Sequence, residues 1–124
     1  MPHLVLEYTA NLGQRDNPRK LMLTLHQVLH KTGGIRLDNC KSRIRSLDSY
    51  AIGDGDPDYA FAHLDVRFMA GRSAPVKQQI GQELLAVLQD EFRETLLQIQ
   101  ITVEIRDIDT GTYFKYPQGT LTPQ

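Results

Sequence analysis

Apolar and polar residues alternate over the opening "HLVLEYT", His3–Thr9, in the two-residue period of a strand with one buried side. The period then changes. In "NPRKLMLTLHQVLHKTGG" the apolar residues Leu21, Met22, Leu25, Val28 and Leu29 recur at helical spacing. Asn17 and Pro18 supply a helix start, and Gly33 and Gly34 supply a stop. "CKSRIRSLDSY" reads as a shorter, more polar extended segment, followed by the turn residues of "GDGDPD". In "DYAFAHLDVRFMAG" Ala62, Leu64, Val66 and Phe68 share one face, with His63, Asp65 and Arg67 on the other. A second helix starts near Ser73 and Pro75, with Val76, Ile80, Leu84, Val87, Leu88 and Phe92 along one stripe. "LQIQITVEIRDI" closes the pattern as a strand, with Leu97, Ile99, Ile101, Val103 and Ile105 facing inward.

The order is strand, helix, strand, strand, helix, strand, and the second strand-helix unit begins about sixty residues after the first. This predicts one α+β domain over residues 1–124, made of two pseudo-repeats at about 1–58 and 59–124. Each β-α-β repeat implies a parallel strand pair, so the duplicated units form a four-stranded sheet with two helices on one face. The other sheet face mixes polar and apolar groups, and is expected to be a subunit interface.

A chain of 124 residues is large enough for a core but small for a solitary enzyme with a deep pocket. Its formal net charge of -1 lacks the basic footprint of a general nucleic-acid binder. "KSRIR" also lacks the interleaved aromatics of a base-stacking sheet, so no nucleic-acid partner is expected. Cys40 is the single cysteine, which excludes an internal disulfide and fits a reducing compartment. Without a signal-peptide pattern or a membrane-length apolar run, the chain is expected to be cytoplasmic, with no membrane partner.

The candidate chemistry begins at Pro2. A proline ahead of a strand is ordinarily a stiff lead-in, because its ring removes a ladder donor. If Met1 is cut away, however, Pro2 presents a secondary amine; with Met1 attached that nitrogen is an amide and no base. Ordinary α-amines titrate at about 7.7 to 8.0, and an apolar pocket with neighbouring cations disfavours the ammonium form, bringing the base towards working pH. Lys41, Arg43, Arg45 and Arg72 are candidate anion ligands. The arginine fork grips two oxygens at once, and Arg72 leads into a helix, where backbone amides also favour anions. His26 and His30 have the helical spacing of a metal pair, but no third ligand stands nearby and no metal is expected. Asp54, Asp56 and Asp58 begin like a calcium loop, yet Tyr59 and Asp65 stand where that loop needs glycine and glutamate.

As a set, "MPHLVLEYT", "DYAFAHLDV", "AGRS" followed by "KQQIGQELL", and a near-terminal "FK" resemble the 5-carboxymethyl-2-hydroxymuconate isomerases of the tautomerase superfamily. The resemblance runs over nearly the whole chain. It implies a homotrimer that acts without cofactor on a small anionic substrate, a carboxylated 2-hydroxydienoate. It also implies Pro2 as the proton carrier, exposed by loss of Met1. Arg72 falls on the arginine of the family's "GRS", and Arg43 on the second arginine of its "RSR" segment. Lys41 replaces the first, keeping the charge but losing the planar grip. The alternative from another class is a non-catalytic ferredoxin-like module that binds a small ligand or a protein.

Overall fold

The computed structural model describes residues 2–117. Its elements are β1 (His3–Thr9), α1 (Pro18–Gly33), β2 (Lys41–Leu47), β3 (Tyr59–Met69), α2 (Ala74–Glu91) and β4 (Gln98–Ile108). Three single 3-10 turns, at Ala10–Leu12, Leu37–Asn39 and Thr110–Thr112, were not predicted, being too short to leave a periodic signal.

Both helices begin and end for reasons readable in the chain. The Asn17 side chain accepts from the Lys20 amide at 3.0 Å, and Pro18 occupies the first turn, where no amide hydrogen is needed. Gly34 closes α1 in the left-handed conformation at φ 66°, its amide reaching the carbonyls of His30 and Leu29. Ser73 caps α2 by accepting from the Val76 amide.

The strands pair in the order β2-β1-β3-β4. β1 runs parallel to β2 and β3 parallel to β4, while the two halves join through the antiparallel β1–β3 pair. The α+β architecture expected from the periodicities is thus the observed one. Leu4, Leu6 and Tyr8 of β1 and Ala62, Leu64, Val66 and Phe68 of β3 are buried under Leu21, Leu25 and Leu29 of α1 and Ile80, Leu84 and Leu88 of α2. Burial of a large aliphatic or aromatic side chain stabilises by about 1.5–3 kcal/mol, which makes this one cluster the main favourable contribution to folding. The buried stripe of α1 is narrower than its periodicity suggests, since Met22 and Val28 lie at its half-buried margins. Ile99, Ile101, Val103 and Ile105 of edge strand β4 are likewise only partly covered, because one flank has no neighbouring strand.

Among the described residues no element lies over the opposite sheet face, which carries His3, Lys41, Arg43, Asp65, Arg67, Glu104 and Arg106, each one or two positions from core residues. Among the described residues no helix is long and apolar enough to cross a membrane.

Candidate active site

The sheet order brings the start of β1, the start of β2 and the ends of β3 and β4 to one edge of the molecule. Register pairs His3 with Lys41 on one side and with Arg67 on the other, and Arg67 with Arg106 beyond it. Pro2 is buried at this end. Its carbonyl accepts from the Lys41 amide at 3.1 Å, so the residue is held in direction although it has no amide hydrogen to give the ladder. One step beyond the antiparallel pairs, Pro2 falls opposite Phe68.

Arg72 follows the end of β3, on the helix side of the same edge. Its guanidinium carbon lies 5.1 Å from the centroid of the Phe68 ring, and its Nε donates to the Gly33 carbonyl at 2.9 Å. No carboxylate meets it among the described residues, and the terminal nitrogens of the fork have no hydrogen-bond partner there. Burial lowers its pKa, yet a guanidinium stays charged at any working pH. A half-buried cation without a counter-charge, stacked on Phe68 at the end of the sheet where Pro2 lies, is suited to receive an anion.

On the open face, Arg43 Nη1 donates to His3 Nδ1 at 3.2 Å, and His3 Nε2 lies 2.8 Å from the Tyr113 hydroxyl. A guanidinium has no acceptor, so Nδ1 must be the unprotonated nitrogen and the ring neutral; Nε2 then carries the hydrogen and donates to Tyr113 Oη. Burial, followed by the charge of Arg43, pushes the His3 pKa below its ordinary 6.5, in agreement with that tautomer. These three side chains, with Arg67, Arg106 and Asp107, line an open cleft of about 450 Å3. Asp65 accepts two bonds from Arg106, at 2.9 and 2.7 Å, and also lies 3.5 Å from Arg67; the Arg106 bonds hold its carboxyl below the usual carboxylate range.

Pro2, Lys41, Arg43 and Arg72 therefore reach the same end of the sheet, but not one pocket. Arg43 lines the open-face cleft, Arg72 lies on the helix side, and Lys41 Nζ is turned to the Asn39 carbonyl at 2.9 Å. Sequence reasoning passed over His3 and Tyr113. Alternation puts His3 on the polar face, but its partner lies 110 residues away and no local pattern announces it.

Other polar clusters are used up structurally. His26 meets the Ser42 hydroxyl at 2.8 Å, and His30 Nδ1 meets the Ile35 carbonyl at 2.8 Å, so each ties α1 to the chain beyond it. Asp54 and Asp56 accept from the amides of Asp56 and Asp58 as turn formers. A larger cleft of about 610 Å3 lies at the other end of the sheet, against Arg15 and Phe92, but its half-buried Arg15 is already paired with Glu91 at 3.2 Å.

Residues 2–118 match the 5-carboxymethyl-2-hydroxymuconate isomerase family. The chain is 27% identical over 117 residues to the 5-carboxymethyl-2-hydroxymuconate Delta-isomerase of Escherichia coli, a match covering 93% of each. It is 34% identical to a 5-carboxymethyl-2-hydroxymuconate isomerase of Deinococcus radiodurans R1, whose crystal structure superposes with a TM-score of 0.80 over 92% of this chain and 87% of that one. A fused 4-OT symmetric trimer shares the fold at 18% identity, with a TM-score of 0.67 over 86% of this chain and 85% of that one. The family match, the curated relative and the superposed structure agree over nearly the whole chain, and this chain belongs to the 5-carboxymethyl-2-hydroxymuconate isomerase family.

Proposed function

We propose that the protein isomerises a carboxylated 2-hydroxydienoate without a cofactor, with the amine of Pro2, freed by removal of Met1, carrying the proton. The observation that carries this reading is that buried Pro2 and the guanidinium of Arg72, which meets no carboxylate among the described residues, lie at the same end of the sheet, with Arg72 stacked on Phe68. The amine takes the proton of the 2-hydroxyl. The electrons of that O–H bond close to a carbonyl as the double bonds shift, and the ammonium returns the same proton to a distal carbon. One proton moves and no oxidant or reductant is required. Arg72 and Arg43 hold the anionic ends of the substrate, and Lys41 adds charge at the margin. The native assembly is a homotrimer packed through the open sheet face, whose mixture of acids and arginines suits a polar interface, with the cleft of His3, Arg43 and Tyr113 left open at its rim.

The test pairs mass with turnover. Protein from the native host is expected to have lost Met1, and Pro2→Ala is expected to lose about a hundred- to ten-thousandfold in dienol-to-enone conversion followed by ultraviolet absorbance. Undiminished turnover in Pro2→Ala, or a retained methionine in active enzyme, would sink the proton-carrier role.

A further inference from the structure

We propose that the Tyr113 hydroxyl donates a hydrogen bond to the substrate oxygen that gains charge during isomerisation, and that His3 is the residue that positions it. This rests on the isomerase reading above but concerns a donor outside the proline and the arginines.

The argument starts from what each nitrogen can do. Arg43 can only donate, so its 3.2 Å contact occupies the lone pair of His3 Nδ1. The imidazole must then donate through Nε2 to Tyr113 Oη at 2.8 Å. A phenol that accepts one hydrogen bond is a stronger donor through its own O–H, because successive bonds polarise one another. That O–H has no acceptor among the described residues: the Tyr113 hydroxyl has the single contact with His3, while the ring packs edge-on against the imidazole at 6.1 Å between centroids. It belongs to the lining of the open cleft, with its hydrogen unassigned.

The chain Arg43, His3, Tyr113 thus places a cation and a neutral donor on opposite sides of one imidazole, and His3 is covalently joined to Pro2. The two ends suit different oxygens. A fixed positive charge attracts a carboxylate equally in substrate and transition state, whereas a neutral phenol gains most where charge develops during the reaction. The phenol keeps its proton throughout; only the strength of its hydrogen bond changes. Neither Arg67 nor Arg106 can take this part as directly, since both already face Asp65.

The experiment compares wild type, Pro2→Ala, Tyr113→Phe, His3→Gln and His3→Leu on one 2-hydroxydienoate, after circular dichroism has established that each is folded. Tyr113→Phe is expected to lower kcat by about tenfold to several hundredfold with KM changed less than threefold. His3→Gln can accept from Arg43 and donate to Tyr113, and should retain at least five times the kcat of His3→Leu. A Tyr113→Phe enzyme with wild-type kcat, a change confined to KM, or equal loss in both His3 variants would overturn the proposal. If Tyr113→Phe is unimpaired while Pro2→Ala is inactive, only this inference falls; if Pro2→Ala turns over normally, the reading beneath it falls as well.

Discussion

The two halves of the molecule each set an arginine on an aromatic ring after the first strand of the half, and the two arginines are treated differently. Arg15, beyond β1, has its guanidinium carbon 4.4 Å from the Phe92 ring centroid and 5.5 Å from that of Tyr8. It is ion-paired to Glu91, donates to the Leu12 carbonyl at 2.7 Å, and leaves its side chain 12% exposed. Arg72, beyond β3, has the equivalent stacking on Phe68 but, among the described residues, only the Gly33 carbonyl as hydrogen-bond partner, through Nε. One cation is neutralised and serves the fold; the other is left with its fork open at the end where Pro2 lies. The pairing of similar positions with different counter-charges separates the arginine used by the fold from the one proposed to bind more sharply than either residue does alone.

The largest effect expected from this contrast is a reciprocal pair of losses. Arg72→Ala should reduce kcat/KM on a 2-hydroxydienoate by about a hundredfold or more while its thermal midpoint stays within a few degrees of wild type. Arg15→Ala should do the opposite: it strands Glu91 in a half-buried site and removes the cover of Phe92, costing about 2–4 kcal/mol of stability with kcat/KM per folded molecule unchanged. Urea melts and steady-state kinetics on the same preparations check both. Activity loss in Arg15→Ala without destabilisation would erase the distinction. A smaller effect, about tenfold in KM, is expected for Arg72→Lys, which keeps the charge but lacks the planar fork.

How much of this contrast was legible beforehand divides along physical lines. Strand and helix periods, the Asn17 and Ser73 caps and the glycine stop of α1 are local, and each appears in the structure as the residues dictate. Pro2, Arg43 and Arg72 could be singled out by their residue types and by resemblance. The sheet order could not be read, because alternation says which face a residue takes and not which strand lies beside it. His3 therefore gave no sign that it would lie between Arg43 and Tyr113, and Arg15 gave none that Glu91, 76 residues on, would neutralise it.

The smallest expected effect concerns pH. Burial lowers the pKa values of His3 and His26 from the ordinary 6.5, so the unfolded chain binds more protons than the folded one just below that value. Stability is accordingly fully present above about 6.5 and declines as pH falls towards the folded values. His26 is tied to Ser42, so His26→Gln should flatten this slope, as measured by urea melts between pH 7.5 and pH 5. An unchanged slope in that variant would assign the decline to other groups.

Asp65 lies between two arginines and Glu104 also approaches Arg106, while Arg43 beside them faces a neutral ring. A chain whose formal net charge is only -1 thus leaves Arg43 and Arg72 at one end without a carboxylate of their own among the described residues. An incoming dianion would be drawn there over distances set by the ionic atmosphere, which spans about 10 Å at 0.1 M salt. The encounter step should therefore weaken with added electrolyte while the chemical step, once the substrate is seated, is left largely untouched.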